Sequence, residues 1–146
     1  MKKHEKIYRE AVKLLREHKS ENLTAAYTLL KDAHSAGNHD AAYMIASWHL
    51  SGIHVAQSFE QAIPYLQFAI EGDIPEAYFD LAVSLETGQG TAKNERQAFL
   101  YYMEAALLGD KGAIYEVGRC FYHGVGVAAD QELARVWLSR SEGKGE

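Results

Sequence analysis

The chain has 146 residues, 47% hydrophobic and 24% charged, a composition typical of a folded globular domain rather than of a disordered chain. The formal net charge of −5 is uneven, because residues 1–20 hold seven Lys/Arg against three Asp/Glu and the remainder is acidic. An acidic body repels phosphate backbones, which argues against nucleic acid as a partner. The sequence has no run of about 20 apolar residues, so no membrane span is predicted.

The first predicted element is a basic helix near the N-terminus. We expect residues 1–40 to form a divergent N-terminal capping hairpin, whose second helix starts at Asn22. The N-terminal residues lack the apolar segment that directs export, and the single cysteine, Cys120, cannot form an internal disulfide. These features predict a cytoplasmic protein.

From residue 41 onward the sequence repeats with a period of 36 residues, in the segments 41–76, 77–112 and 113–146. Each segment opens with a helix, here called helix A, that is predicted to end at a shared glycine, namely Gly52, Gly88 or Gly124. Gly126 continues the turn of the third segment. We expect one solenoid domain over residues 1–146, with a flexible tail at 143–146.

A second helix, helix B, is predicted to follow each turn. Its starts are marked by side chains that can cap a helix, Ser58, Asn94 and Asp130, and at two of them Gln61 and Gln97 complete a capping-box pattern. Small and aromatic residues then repeat on one helical face at Ala62, Ala98, Ala134, Tyr65, Tyr101 and Trp137. This spacing predicts that the hairpins stack on one another.

The third segment reads A-x-x-x-V-G-x-x-F-x-x-G-x-G-V, followed by D-x-x-x-A-x-x-W. This pattern resembles the Sel1-like repeat, a relative of the tetratricopeptide repeat. The first segment departs from it with His49 and His54, and the second with Thr91. The resemblance implies an all-α, right-handed α/α solenoid of about three repeats, and it implies protein binding rather than an enzymatic activity.

Chemical motifs outside the repeat are sparse. The histidines form no clear ligand cluster, and Cys120 with His123 makes only two candidate ligands. The short glycine strings are explained by the repeat turns, so we expect no catalytic residues, no metal and no cofactor. Four tyrosines lie outside the repeat pattern and are candidates for an interface, namely Tyr27, Tyr78, Tyr102 and Tyr122.

The resemblance also implies that the A helices line a concave groove. The candidate partner-binding residues are the helix A positions outside the repeat pattern: Met44, Trp48, Ser51, Asp80, Val83, Ser84, Thr87, Glu116, Arg119 and His123. Trp48 and Arg119 are of the types on which interface energy concentrates, although Trp48 also fits a core position.

These features favour a non-enzymatic module that binds a protein partner, most concretely a bacterial adaptor or an immunity protein that inhibits a basic toxin or effector. The chain would be a monomer or a weak homodimer. One alternative is a structural homo-oligomer or regulatory scaffold, in which Val136 and Trp137 pair with another copy. The other is an enzyme or metal-binding protein.

Overall fold

The structure is a computed structural model that describes residues 1–143, and it forms two compact units, Met1–Gly72 and Asp73–Glu146. Within those described residues every regular element is an α-helix, which confirms the all-α prediction. None of these helices is long and apolar enough to cross a membrane. Most of the predicted tail, residues 144–146, lies outside the described residues.

The eight helices of the described chain pair into hairpins. In the first unit they are α1 (Lys3–Arg16), α2 (Asn22–Ser35), α3 (His39–Ser51) and α4 (Phe59–Ile70). In the second unit they are α5 (Pro75–Thr87), α6 (Glu95–Leu107), α7 (Lys111–His123) and α8 (Gln131–Ser141). Consecutive helices pack as α1/α2, α3/α4, α5/α6 and α7/α8, and α2/α3 and α6/α7 join the hairpins within each unit.

Three helices, α3, α5 and α7, are the predicted A helices, and each ends at its predicted glycine. Gly52, Gly88 and Gly124 have φ values of 70°, 75° and 74°, in the left-handed region. Their N–H groups donate to carbonyl groups four residues earlier in each helix. This αL cap confirms that the glycines end helix A.

The B helices α4, α6 and α8 start at the predicted caps. The side chains of Ser58, Asn94 and Asp130 accept hydrogen bonds from the N–H groups three residues later, at 3.1, 3.0 and 3.0 Å. The capping-box prediction is wrong in one respect: the N–H groups of Ser58 and Asn94 donate to His49 and Leu85 carbonyls, both at 2.8 Å, rather than to a glutamine side chain. These bonds tie each B helix to its A helix.

We expect Asp130→Ala to lower the free energy of unfolding by about 0.5–2 kcal/mol, because the Leu133 N–H loses its acceptor in the first turn of α8. Urea denaturation followed by circular dichroism measures the change. Asp130→Asn, which keeps an acceptor oxygen, is the matched control and should stay close to the wild type. Equal midpoints for Asp130→Ala and the wild type would contradict the capping role.

Asn22 does not cap α2, contrary to prediction. It is the first residue of the helix, and its Nδ2 donates to the Leu14 carbonyl oxygen and to Glu17 Oε2, both at 3.1 Å. Asn22 therefore closes the loop between α1 and α2. Two caps absent from the prediction, Asn38 and Asp110, accept from the first turns of α3 and α7 at 2.8 and 2.9 Å.

Each unit has its own apolar core, in which the small residues of the repeat are fully packed. Ala62, Ala98 and Ala134 are at most 1% exposed. The aromatic residues three positions later, Tyr65, Tyr101 and Trp137, are partly buried against these cores. These burials agree with the predicted stacking of hairpins within each unit.

Candidate partner-binding site

The first unit contributes Met44, Trp48 and Ser51 of α3 to the predicted partner-binding set. Ser51 is exposed and Met44 is partly buried against the core. Trp48 is only 5% exposed, and its ring stacks on Tyr27 of α2 with centroids 5.7 Å apart and an interplanar angle of 15°. The assignment of Trp48 to an open surface is therefore corrected, because α2 covers that face of α3.

The second unit contributes residues of α5 and α7. Ser84 is 3% exposed, so its assignment to the surface is also corrected. Thr87 and His123 are exposed. The remaining members are partly buried: Asp80, Val83, Glu116 and Arg119.

A charged cluster joins three helices of the second unit. Arg119 Nη2 donates to Glu86 Oε1 and Arg119 Nε donates to Glu116 Oε2, both at 2.6 Å. The hydroxyl of Tyr102 donates to the same Glu86 oxygen at 2.9 Å. We call these four residues the Arg119 cluster; it carries two carboxylates and one guanidinium, so it presents a net negative charge.

The Arg119 cluster holds its charges in fixed positions. Burial of Glu86 opposes its ionisation, but the hydrogen bonds from Arg119 and Tyr102 outweigh burial and hold the pKa of Glu86 below its usual range. Burial, together with the charge of Glu86, raises the pKa of the Tyr102 hydroxyl. Glu86 therefore remains ionised at neutral pH while Tyr102 stays protonated and donates.

The structure differs from the sequence-based prediction at two members of the Arg119 cluster, Glu86 and Tyr102. Glu86 was absent from the candidate set, and Tyr102, a candidate for an interface, is only 2% exposed. Of the other three candidates, Tyr27 and Tyr78 are partly buried and Tyr122 is 51% exposed. Arg119 is shared between two carboxylates of its own chain, so it organises the acidic surface as well as lying on it.

The cysteine and the histidine and acidic side chains of the described residues form neither a reactive thiol nor a metal site. Burial raises the pKa of the Cys120 thiol to about 11, so the thiol is protonated and weakly nucleophilic at neutral pH. Among residues 1–143, no three His, Cys, Asp or Glu side chains are grouped so that they could hold a metal ion.

The environment of His49 is expected to make the stability of the first unit depend on pH. Burial of its ring, together with the charge of Lys31, lowers the pKa of His49. An unfolded histidine titrates near pH 6.5, so the stabilisation is fully present above about pH 6.5 and is lost as the pH falls toward the folded pKa. We expect His49→Phe, which copies Phe121 at the equivalent repeat position, to flatten this loss below about pH 6.5.

Urea denaturation at several pH values measures that slope. His34, whose pKa is lowered by burial and by Lys31, is present in both proteins, so a residual slope should remain in the variant. An identical pH dependence in the wild type and His49→Phe would show that His49 does not titrate with folding.

The paired helices and the repeated glycine turns define a helical-repeat protein, and the comparisons with known proteins agree with this fold. The Sel1 repeat matches residues 39–73, 75–110 and 112–145, well over half of the chain. The chain belongs to the Sel1 repeat family. Sel1 repeat proteins generally mediate protein–protein interaction, and they are typically scaffolds rather than enzymes.

Solved structures share this fold. A Sel1 repeat protein from Oxalobacter formigenes is 32% identical, with a TM-score of 0.70 over 80% of this chain and 88% of that one. A protective antigen of uropathogenic Escherichia coli superposes with a TM-score of 0.81 at 20% identity, over 95% of this chain and 33% of its own. Helicobacter pylori cysteine rich protein B is 24% identical, with a TM-score of 0.61 over 80% and 89% of the two chains.

Proposed function

We propose that this chain is a bacterial adaptor or inhibitor that binds a basic protein partner through the acidic helix A surface of its second unit. The Arg119 cluster is the observation that carries the proposal. Its carboxylates are held in place by hydrogen bonds from Arg119 and Tyr102, beside the exposed Thr87 and His123. Charges that are already ordered lose less entropy when a partner binds.

The charge of the whole chain supports a basic partner. Residues 21–146 carry seventeen Asp/Glu against eight Lys/Arg, so a positively charged protein is steered toward this part of the chain. Neutralisation of a basic toxin by an immunity protein is the most concrete form of this proposal. The Sel1 repeat, whose members bind proteins, supports the general class.

The test introduces a positive charge at the proposed surface without breaking the Arg119 cluster. The partner is first captured from the native cells with the wild-type chain and identified, and its affinity is then measured by titration calorimetry. We expect Thr87→Lys and His123→Lys each to weaken binding about tenfold or more, equivalent to about 1.4 kcal/mol, by repelling a basic partner. Added salt should weaken binding by the wild type.

Gln67→Lys is the matched control, because it makes the same change of charge at an exposed position of α4, a B helix. It should leave the affinity nearly unchanged. If Thr87→Lys and His123→Lys bind as tightly as the control does, the acidic helix A surface is not the binding site.

Self-association is a second candidate, favoured by one observation. Apolar side chains are exposed at one end of the second unit, with Leu107 71%, Val136 50% and Leu133 42% exposed. An apolar patch of this kind can pair with a second copy. Sedimentation over a range of concentrations separates the candidates, because only self-association predicts a dimer that Val136→Asp disrupts.

A further inference from the structure

An open pocket of about 660 Å³ lies within the first unit, and none of the residues assigned above to partner binding is among those that line it. It is formed by α2, by the end of α3 and by the start of α4. We call it the first-unit pocket. The lining residues that matter here are Lys31, His34, His49, Ser58, Glu60 and Tyr65.

His49 is the least explained side chain of this pocket. It is 5% exposed, and its Nδ1 is shielded from solvent without a hydrogen-bond partner. A buried N–H without an acceptor costs more than an unused lone pair, so the proton of the neutral ring belongs on Nε2. Since Nδ1 is closed off, the polar atom that His49 can present to the first-unit pocket is this Nε2–H donor.

Aromatic rings fix the orientation of His49 and form the apolar wall. The Tyr65 ring stacks on His49 with centroids 5.8 Å apart, and His34 meets the Tyr65 ring edge-on at 5.0 Å. The Tyr65 and His34 rings also line the pocket, so part of its wall is aromatic and apolar. A ligand with an aromatic or apolar body fits such a wall.

Lys31 is the pocket's cation. Burial and the charge of Lys31 lower the pKa values of both His34 and His49, so both rings are neutral at neutral pH. The Lys31 ammonium group is exposed above the Tyr27 ring, 5.7 Å from its centroid, and is available to a ligand. Recognition of an anion in this pocket therefore depends on one full positive charge.

The start of α4 adds further donors. Ser58 Oγ accepts from the Gln61 N–H at 3.1 Å, which leaves the hydroxyl proton available to donate outward. The first-turn N–H groups carry the partial positive charge of the helix N-terminus. The carboxylate of Glu60 lies in the same turn and opposes a highly charged anion.

We infer that the first-unit pocket binds a carboxylate borne by an aromatic or apolar group, with Lys31, the His49 Nε2–H and the Ser58 hydroxyl as its donors. The single cation and the opposing Glu60 favour a monoanion over a phosphate dianion. The carboxylate could belong to the C-terminus of a protein or to a free organic acid. Both sources offer the same chemistry to the pocket.

The test compares two probes that differ only in the carboxylate, N-acetylphenylalanine and N-acetylphenylalanine amide. Each is titrated into the whole ¹⁵N-labelled chain and followed by NMR. We expect saturable binding of the acid with a Kd of about 1 mM, shifts centred on the pocket and on the His49 ring, and at least tenfold weaker binding of the amide. Equal affinity for acid and amide, or no saturation by the acid up to about 10 mM, would overturn the inference.

Variants assign the site. Lys31→Gln removes the cation at an exposed position and should weaken binding of the acid about tenfold, whereas the exposed Lys19→Gln, outside the pocket, should not. His49→Phe removes the Nε2–H donor and should also weaken binding. Unchanged affinity in Lys31→Gln would contradict the proposed role of Lys31, and circular dichroism shows that each variant is folded.

A third probe distinguishes the two sources of the carboxylate. N-acetyl-Ala-Ala-Phe with a free C-terminus carries the same carboxylate on an extended peptide. Affinity at least threefold above that of N-acetylphenylalanine supports a protein C-terminus as the ligand, and equal affinity supports a free acid. Peptide binding that persists undiminished in Lys31→Gln would count against carboxylate recognition.

Discussion

Replacing Gly126 with alanine is expected to lower the free energy of unfolding by about 3 kcal/mol or more. Gly126 has a φ of 70°, a conformation that L-residues adopt at a cost. A Cβ placed there would collide with the carbonyl oxygen of Glu95 and approach the Phe99 Cβ to 3.0 Å. The colliding oxygen is a backbone atom of α6, so a side-chain rotation cannot relieve the contact. Urea denaturation of the two proteins measures the loss.

Gly124→Ala is the matched control for this prediction. Gly124 has a nearly identical φ of 74°, but a Cβ there would meet Ala129 at 3.4 Å and the Val127 carbonyl oxygen at 3.5 Å, which are ordinary contact distances. Its loss should therefore come from backbone torsion alone, about 1–2 kcal/mol. Equal losses in Gly124→Ala and Gly126→Ala would show that the approach of Gly126 to α6 does not constrain the fold.

The features that the sequence predicts best depend on atoms only a few residues apart. The glycine at the end of a helix and the cap at the start of the next satisfy backbone groups within their own turns. A period of 36 residues brings Ser58, Asn94 and Asp130 to equivalent places, so each supports the assignment of the other two. His54 shows the same local control, because it takes the place of a glycine and keeps its positive φ of 62°.

The wrong predictions, the surface assignments of Trp48 and Ser84, concern which face of helix A is buried. Trp48, Ser84 and Cys120 are 36 residues apart in succession, and all three are buried, at 5%, 3% and 0% exposed. These equivalent positions hold a tryptophan, a small serine and a cysteine. A comparison of the three residue types would have suggested a core position. Three residues further along helix A, the equivalent positions are exposed in all three repeats: Ser51, Thr87 and His123.

The Arg119 cluster could not have been predicted in this way. Positions equivalent to Glu86 are Leu50 and Tyr122, which share no chemistry with a carboxylate. The pairing of Glu86 with Arg119 depends on how α5 and α7 approach within the second unit, which is a tertiary property. By contrast, Tyr102 is equivalent to Leu66, which is also buried. The burial of Tyr102 could therefore have been predicted from the repeat.

The burial of Trp48 leads to a strong expectation for the first unit. We expect Trp48→Ala to lower the free energy of unfolding by about 3–5 kcal/mol, the range typical of large aromatic residues removed from cores. Trp48 belongs to the same buried core as Leu30 and Ile45, and its ring stacks on Tyr27. Removing it leaves a cavity that α2 and α3 cannot close without losing these contacts. Thermal and urea denaturation followed by circular dichroism measure the loss.

Ser51→Ala is the control on the same helix, and because Ser51 is exposed it should change stability by less than about 0.5 kcal/mol. Trp48→Phe should fall between the two, since it keeps an aromatic ring against Tyr27. A Trp48→Ala protein with unchanged stability and weakened partner binding would return Trp48 to the binding surface. We expect the loss of stability to be largest for Trp48→Ala, smaller for Trp48→Phe and smallest for Ser51→Ala. This order would show that Trp48 contributes to the packing of α2 against α3. Any loss of partner affinity would then follow from unfolding of the first unit.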